Sequence, residues 1–302
     1  MKRKIILGSL MVLSCYVFVA CSSDNNKVDF EEEKYIAIPD ASFETKLIEQ
    51  GFDSDGIVNQ KILKSDAEKV TRLDFNLTTN FGDIADLKGI EGFVNLKLLS
   101  ASGHDITSVD LSANTLLDTI YLSGNLIDHI DLSKNINLIL VDVQSNGLSS
   151  ISGISELTHL KKLDVSWNNL EHLTVQNESI EVLNASLNLL TSLNTEGSVN
   201  LENILLTSNK LTTVDFSSNT LVKTLLIGDS QLQSINLEYN SKLTHLYIFS
   251  NLLSDLDLSQ NLDLVEIKVD RNPDLTCIKI QAGQYIGYAK LSDYQELNST
   301  CN

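Results

Sequence analysis

Apolar residues recur along residues 96–272 in one short sequence motif: apolar, two variable, apolar, one variable, apolar, two variable, Asn. The starts are mostly 21 residues apart, with one spacing of 22 and one of 20. Its nine copies are Leu96–His104, Leu117–Asn125, Leu138–Asn146, Leu160–Asn168, Ile180–Asn188, Leu201–Asn209, Val222–Ser230, Leu243–Asn251 and Leu264–Asn272. The second and third apolar positions alternate with variable ones, which predicts a short strand with one buried side.

The Asn that ends the motif recurs in most copies, so stacked strands would align these residues in a column. An amide side chain both donates and accepts, so this column can satisfy backbone groups that stacked strands would leave unpaired inside. His104 and Ser230 interrupt the column, and we expect looser local structure at both. The intervening segments repeat as well, and several end in Asp-Leu-Ser-x-Asn, as at 110–114, 131–135 and 257–261.

A period of this length is typical of leucine-rich repeats. The predicted fold is a leucine-rich-repeat solenoid: a curved right-handed superhelix with a parallel β-sheet on its concave face, a short helical N-terminal cap and a disulfide-pinned C-terminal cap. The predicted segments are a signal peptide (1–20), an acylated Cys with a flexible tether (21–34), the N-terminal cap (35–69), the repeats (70–272) and the C-terminal cap (273–302).

The charge balance is strongly acidic, with 22 basic and 40 acidic residues and a formal net charge of −18. Removal of Lys2, Arg3 and Lys4 with a signal peptide would leave 19 − 40 = −21. This balance argues against nucleic acid or anionic lipid as a partner. It is otherwise consistent with simple solubility.

The first residues indicate export, since three basic residues precede an apolar run from Ile5 to Ala20 that is short for a membrane span. The run ends in Val-Ala-Cys-Ser, which resembles the bacterial lipobox. This resemblance implies that Cys21 is acylated and becomes the mature N-terminus, and that Ser22 directs the protein to the outer membrane, facing outward or toward the periplasm. An ordinary signal peptide with a chance Cys is the alternative.

The N-terminal cap is predicted to contain a short helix. Asp40 can cap it, Phe43, Leu47 and Ile48 form its apolar side, and Gly51 ends it. A second helical turn is expected to begin at Ser65 or Asp66.

Asp53-Ser54-Asp55-Gly56 resembles part of a calcium-binding loop. When Gly56 is aligned with the invariant Gly of such a loop, Gly51 falls at the first ligand position and Ile62 at the closing Glu. Two ligands are therefore missing, and a surface turn is the favoured interpretation, with calcium as the alternative.

Cys277 and Cys301 are the two cysteines that remain when Cys15 is removed and Cys21 is acylated. An even pair in an exported chain predicts a disulfide. The repeated motif does not recur in the C-terminal cap. We expect the disulfide to hold this cap over the last strand.

The chain resembles the internalin-like leucine-rich-repeat surface lipoproteins of Gram-negative bacteria over nearly all of its mature length. The features that carry this resemblance are IPDASFETKLIEQG at 38–51, the LDLSxN-type repeats, NPDLTCI at 272–278 and the trailing Cys. The resemblance implies a curved scaffold that binds a partner, often a protein. It transfers no catalytic residue.

No chemistry-bearing motif contradicts this interpretation. The chain has no GxSxG, P-loop or HExxH sequence, and no His lies at metal-ligand spacing from a Cys or carboxylate. Asp142 and Asp164 occupy equivalent positions of adjacent repeats, about 5 Å apart. Paired carboxylates act in some glycosidases, but two solvated charges are the favoured interpretation. We expect no cofactor, no metal and no enzymatic activity.

The strand register predicts which side chains point outward on the concave face. The first outward column contains Ser100, Tyr121, Asp142, Asp164, Asn184, Leu205, Leu226, Tyr247 and Lys268. The next contains Ser102, Ser123, Gln144, Ser166, Ser186, Thr207, Gly228, Phe249 and Asp270. Most of these residues are small or polar, whereas Leu205, Leu226, Tyr247 and Phe249 are contiguous and apolar, with His245 beside them.

Contiguous exposed apolar residues predict a partner-binding anchor, and Tyr121 and Trp167 are further candidates on the same face. Lateral packing within the sheet, or cover from the C-terminal cap, is the alternative explanation. A lipid-anchored scaffold that binds protein is the favoured function. A glycan-binding surface protein is the second possibility, supported by Gln144, Asn184 and Asn203, and an enzyme is the third.

Overall fold

The computed structural model describes residues 34–76 and 83–301. Nearly all regular structure consists of very short strands. In chain order the elements are β1 Tyr35–Ala37, α1 Ala41–Glu49, β2 Lys61–Leu63, α2 Lys64–Ala67, β3 Arg72–Asp74, β4 Leu98–Ser100, β5 Thr119–Tyr121, β6 His129–Asp131, β7 Leu140–Asp142, β8 Ser150–Ser152, β9 Lys162–Asp164, β10 His172–Thr174, β11 Val182–Asn184, β12 Ser192–Asn194, β13 Asn203–Leu205, β14 Thr224–Leu226, β15 His245–Tyr247, β16 Glu266–Lys268, β17 Cys277–Lys279, β18 Tyr288–Lys290 and β19 Glu296–Asn298, with 3-10 turns at Ile90–Gly92 and Ile154–Glu156.

One parallel sheet of eleven strands runs the length of the repeats, in the order β3-β4-β5-β7-β9-β11-β13-β14-β15-β16-β18. Its strands alternate between buried and partly exposed residues because one side of the sheet covers the core. Leu163, Val165, Leu246 and Ile248 are completely buried. The chain is thus a leucine-rich-repeat solenoid, as its sequence predicts, and the apolar side of each turn is buried by its neighbours.

The predicted Asn column is largely buried, and its side chains are hydrogen-bonded, as Asn168 illustrates. Its amide nitrogen donates to the carbonyls of Val143 and Val165, each at 3.0 Å. Its Oδ1 accepts the backbone N–H of Leu148 at 2.9 Å. Each Asn therefore bonds both its own turn and the preceding one, which explains why the residue recurs at this position.

The two interruptions of the column behave differently from each other. His104 is buried, its Nε2 lies 2.8 Å from the carbonyl oxygen of Phe75, and its Nδ1 accepts the N–H of Ile84. His104 therefore makes the contacts of the missing Asn, and the expectation of looseness there is wrong. Ser230 is too short to do so, and its Oγ is buried without a hydrogen-bond partner among the described residues.

The return segments carry a second set of polar contacts, which accounts for the Asp-Leu-Ser-x-Asn motif. Asp131 Oδ1 accepts the N–H of Ser133 at 2.9 Å. The backbone N–H and then the hydroxyl of Ser133 lower the pKa of Asp131. The final Asn of the motif, Asn135, donates to the carbonyls of Leu111 and Asn114 in the preceding repeat. The motif therefore combines a turn with a second inter-repeat ladder.

The N-terminal cap contains the predicted helix, α1, whose first turn is capped by Asp40 through the backbone N–H groups of Ser42 and Phe43. Phe43 lies against the rings of Phe75 and Phe93, at centroid distances of 5.6 and 6.2 Å. The helix thus closes the open end of the core. The second helix, α2, begins at Lys64, one residue before the predicted start at Ser65 or Asp66.

The C-terminal cap contains the predicted disulfide, since Cys277 and Cys301 are bonded with their Cα atoms 5.9 Å apart. The repeats extend further than predicted, because β18 pairs in parallel with β16 as an eleventh strand. The repeated motif is degenerate here, with Ala289 at an apolar strand position and Tyr294 in the place of Asn. Gln295, the next residue, donates to the carbonyl of Val269 at 3.2 Å and replaces the Asn contact.

The predicted signal peptide, the acylation site Cys21 and nearly all of the tether lie outside the described residues. Within residues 34–76 and 83–301, the structure contains no helix with the length and apolar character needed to cross a bilayer.

Candidate binding face

The outward residues of the main sheet form a continuous surface, which we call the open face. The strand register places Asn184, Leu205, Leu226, Tyr247 and Lys268 beside one another in successive strands. Strand neighbours in a sheet are about 4.8 Å apart, so the three apolar members form one stripe. All three are partly exposed. The predicted order of the first outward column is therefore confirmed.

Phe249 extends this stripe into the next column, and its ring occupies space left by a glycine. A Cβ added to Gly228 would lie 2.6 Å from Cζ of Phe249. The ring therefore packs on the backbone of the neighbouring strand rather than projecting freely. The apolar stripe of Leu205, Leu226, Tyr247 and Phe249, which we call the apolar patch, is partly buried and held in place by the sheet.

Charged side chains border the C-terminal end of the apolar patch. Lys268 Nζ lies 3.8 Å from the centroid of the Tyr247 ring, and the Tyr247 hydroxyl donates to Glu266 at 2.8 Å. The hydroxyl of Tyr247 and then the ammonium group of Lys268 lower the pKa of Glu266. Arg271 lies over the Phe249 ring at 5.1 Å. These contacts fix both aromatic rings and were not foreseen from the sequence, since they depend on side-chain directions across strands.

The remaining candidates are not all brought together. His245 lies in strand β15 beside the patch, where its Nδ1 is 2.9 Å from the Thr244 hydroxyl. Tyr121 is in the same column as Leu205, but Asp142, Asp164 and Asn184 separate the two. Tyr121 is therefore not part of the apolar patch.

Trp167 lies at the rim of the open face and is 58% exposed. Its φ is +56°, in a column of left-handed residues that also includes Gly103, Gly124 and Ser145. Leu187 follows it in this column with the same φ. A large side chain is unusual in this conformation, so Trp167 and Leu187 occupy positions where the backbone favours small residues.

Asp142 and Asp164 are paired on adjacent strands, as their spacing predicts. Asp164 is largely buried and accepts hydrogen bonds from Ser166 Oγ at 2.6 Å and Asn184 Nδ2 at 3.0 Å. Burial, followed by the charge of Asp164, raises the pKa of Asp142. The pair therefore belongs to a polar network in the centre of the open face rather than to two freely solvated carboxylates.

The described residues contain no cluster of three or more His, Cys, Asp or Glu side chains that could hold a metal ion. The Asp53–Gly56 segment forms a turn in which Asp55 accepts the N–H of Ile57 at 2.9 Å. Asp53, however, is only 4% exposed, so the prediction of a surface turn is wrong for this residue.

Comparison with known proteins supports the fold. YopM from Yersinia enterocolitica is 20% identical, with 78% of this chain and 49% of that chain covered at a TM-score of 0.63. A structure of the LRIM1/APL1C complex is 22% identical, with 77% and 47% covered at a TM-score of 0.59. The LRR protein LIC12759 from Leptospira interrogans is 18% identical, with 76% and 74% covered at a TM-score of 0.54.

This chain spans about half the length of the YopM and LRIM1/APL1C chains. The comparisons with family models and with curated proteins find no match. At these identities the similarity concerns the fold alone.

Proposed function

We propose that this chain is an exported, lipid-anchored and non-enzymatic scaffold that binds a protein partner through its open face, the concave side of the solenoid. The apolar patch is the observation that carries this proposal. Leu205, Leu226 and Tyr247 lie side by side on the face opposite the core, where stability of the fold requires no apolar residue. Burial of such a patch is the usual source of affinity in a protein interface.

The aromatic side chains of the apolar patch are held in fixed positions and remain partly exposed, which favours binding over accidental exposure. Tyr247 and Phe249 are fixed by Glu266, Lys268 and Arg271, so their side chains lose little conformational freedom when a partner covers them. The C-terminal cap leaves the residues of the patch partly exposed. The LRIM1/APL1C structure, whose fold is similar, is itself a complex of two named proteins.

The partner-binding test compares two double variants. Leu226→Asp plus Tyr247→Ala places a charge in the apolar patch and removes one aromatic anchor. We expect at least about a 100-fold loss of affinity for a partner captured by the wild-type chain, because hot-spot residues each contribute about 2 kcal/mol or more. The measurement is surface plasmon resonance with the captured partner.

Leu221→Asp plus Tyr239→Ala is the matched control, since both residues are exposed outside the strands of the main sheet. It makes the same chemical changes in neighbouring repeats and is expected to bind normally. Equal affinity of both double variants for the partner would contradict binding through the apolar patch.

The proposed location is the outer membrane, with the lipid attached at Cys21, and it rests on the basic and apolar N-terminus and the Val-Ala-Cys-Ser sequence. We expect metabolic labelling with a palmitate analogue to mark the wild-type chain and not Cys21→Ser. Protease treatment of intact cells should remove the repeats if they face outward. Labelling that persists in Cys21→Ser would contradict the proposed anchor.

A further inference from the structure

Four carboxylates converge on the loop that follows α1. Glu44 accepts the backbone N–H groups of Asn59, Gln60 and Lys61 at 2.8–3.1 Å. Asp66 accepts the N–H of Ser54 at 3.3 Å. Asp53 and Asp55 belong to the loop itself. Helix α1, helix α2 and the loop at 53–59 thus surround one acidic corner of the N-terminal cap.

Two oxygen atoms in this corner are buried and have no hydrogen-bond partner among the described residues: Asp53 Oδ2 and Asn59 Oδ1. Asp55 is hydrogen-bonded to both of these residues. Asp53 Oδ1 accepts the N–H of Asp55 at 3.4 Å, and Asn59 Nδ2 donates to Asp55 Oδ2 at 2.8 Å. A buried carboxylate oxygen without a partner costs free energy, because water no longer solvates it.

The electrostatics of the corner make this cost larger. Burial raises the pKa of Asp53, and the charges of Asp55, Glu44 and Asp66 raise it further. Lys69 is the one cation within ion-pair distance of these four carboxylates in the described part of the chain, and it bonds Asp66 from an exposed position. The buried carboxylate of Asp53 therefore lacks a compensating positive charge.

We propose that the loop at 53–59 binds a calcium ion through the carboxylate of Asp53, the side-chain carbonyl of Asn59 and the carboxylate of Asp55. All three ligands are oxygen atoms, which calcium prefers, and waters or backbone carbonyls complete a coordination shell of about six to eight oxygens. The cation satisfies the two buried oxygens and neutralises the acidic corner. The site needs only two carboxylates, so it is consistent with the absence of a three-residue cluster in the described residues.

Calcium fits this site better than magnesium or a transition metal. Asp55 is already held by hydrogen bonds to Ile57 and Asn59. Calcium accepts a flexible arrangement of such oxygens, whereas magnesium demands a near-ideal octahedron and gives up its waters reluctantly. No His or Cys lies among the residues of the loop, so softer metals lack their preferred ligands. With few charged ligands, we expect the modest affinity of extracellular calcium modules, with a dissociation constant of about 10⁻⁴–10⁻³ M.

The test is calorimetric titration of the full chain with calcium chloride and, separately, magnesium chloride. We expect saturable calcium binding in the range above, and at least about tenfold weaker binding to Asp53→Asn, which removes the buried charge but keeps the shape. Thermal unfolding provides a second readout. In a chelator Asp53→Asn should unfold at a higher temperature than the wild type, and in calcium the order should reverse.

Glu68→Gln is the matched control, because Glu68 is exposed in the same cap and its replacement also removes one negative charge. It should bind calcium like the wild type. An unchanged calorimetric trace with calcium, equal binding of magnesium, or equal weakening by Glu68→Gln and Asp53→Asn would overturn the proposal. A loss of folding in Asp53→Asn would appear as a lower unfolding temperature in chelator, opposite to the expected order.

Discussion

Replacing Asn168 with Ala is expected to lower the free energy of unfolding by about 3 kcal/mol. The side chain is buried and bonds two successive turns of the solenoid, through Val143 and Val165 as acceptors and Leu148 as donor. Alanine leaves three backbone groups buried and unpaired, and each such group costs about 1–3 kcal/mol when relaxation or water does not satisfy it. Because each turn is stable only against its neighbours, the loss affects the repeats on both sides.

Chemical denaturation followed by circular dichroism measures this change, and Asn169→Ala is the control. Asn169 is the next residue, but it is exposed and makes only a 3.5 Å contact with the carbonyl of Gly147. We expect its replacement to change the free energy of unfolding by less than about 0.5 kcal/mol. Similar losses in the two variants would mean that the Asn column contributes little beyond its solvent-exposed neighbours.

The Asn column also explains why the fold was predictable from the sequence. A residue that must donate and accept in every turn recurs at a fixed spacing, and the apolar strand positions recur with it. The exceptions were less predictable because their contacts come from other residue types. His104 bonds Phe75 and Ile84 in place of an Asn, and Gln295 bonds Val269 from one position later. A search for Asn alone therefore misses the eleventh strand.

The open face was predictable to a similar extent. Strand alternation determines which residues point outward, so the stripe of Leu205, Leu226 and Tyr247 follows from spacing alone. The packing of Phe249 on Gly228 and the position of Lys268 over Tyr247 depend on side-chain directions between strands, which spacing does not specify. Sequence could locate the apolar patch but not the contacts that fix it.

The acidic corner illustrates a different limit. The sequence places Asp53 in a hydrophilic Asp-Ser-Asp-Gly turn, and local pattern favours exposure there. Burial of Asp53 instead results from contacts made at a distance, because α1 supplies Glu44 and α2 supplies Asp66 to the same loop. Local motifs therefore indicated which residues form the turn, while its electrostatic environment depended on the tertiary structure of the cap.

Replacing Gly153 with Ala is expected to have the largest effect on stability, a loss of about 4 kcal/mol. Gly153 follows β8 and has a φ of +84°, a conformation that costs an L-residue about 1–2 kcal/mol. A Cβ there would also lie 2.2 Å from the backbone nitrogen of Ser133 and 2.7 Å from the carbonyl carbon of Leu132. These are backbone atoms of the preceding repeat and cannot rotate away, so the strands β6 and β8 must separate, at an additional cost of about 1–3 kcal/mol.

Gly197→Ala separates the two contributions, because Gly197 has a φ of +82° but no atom within 4 Å of the added Cβ. It carries the conformational cost alone, and we expect a loss of about 1 kcal/mol. Thermal and chemical unfolding of both variants measures the difference. If Gly153→Ala were no more destabilising than Gly197→Ala, the close approach of adjacent turns at Ser133 would not constrain the spacing of the repeats. A clear difference would instead assign that constraint to backbone contact between turns, in addition to the side-chain ladders.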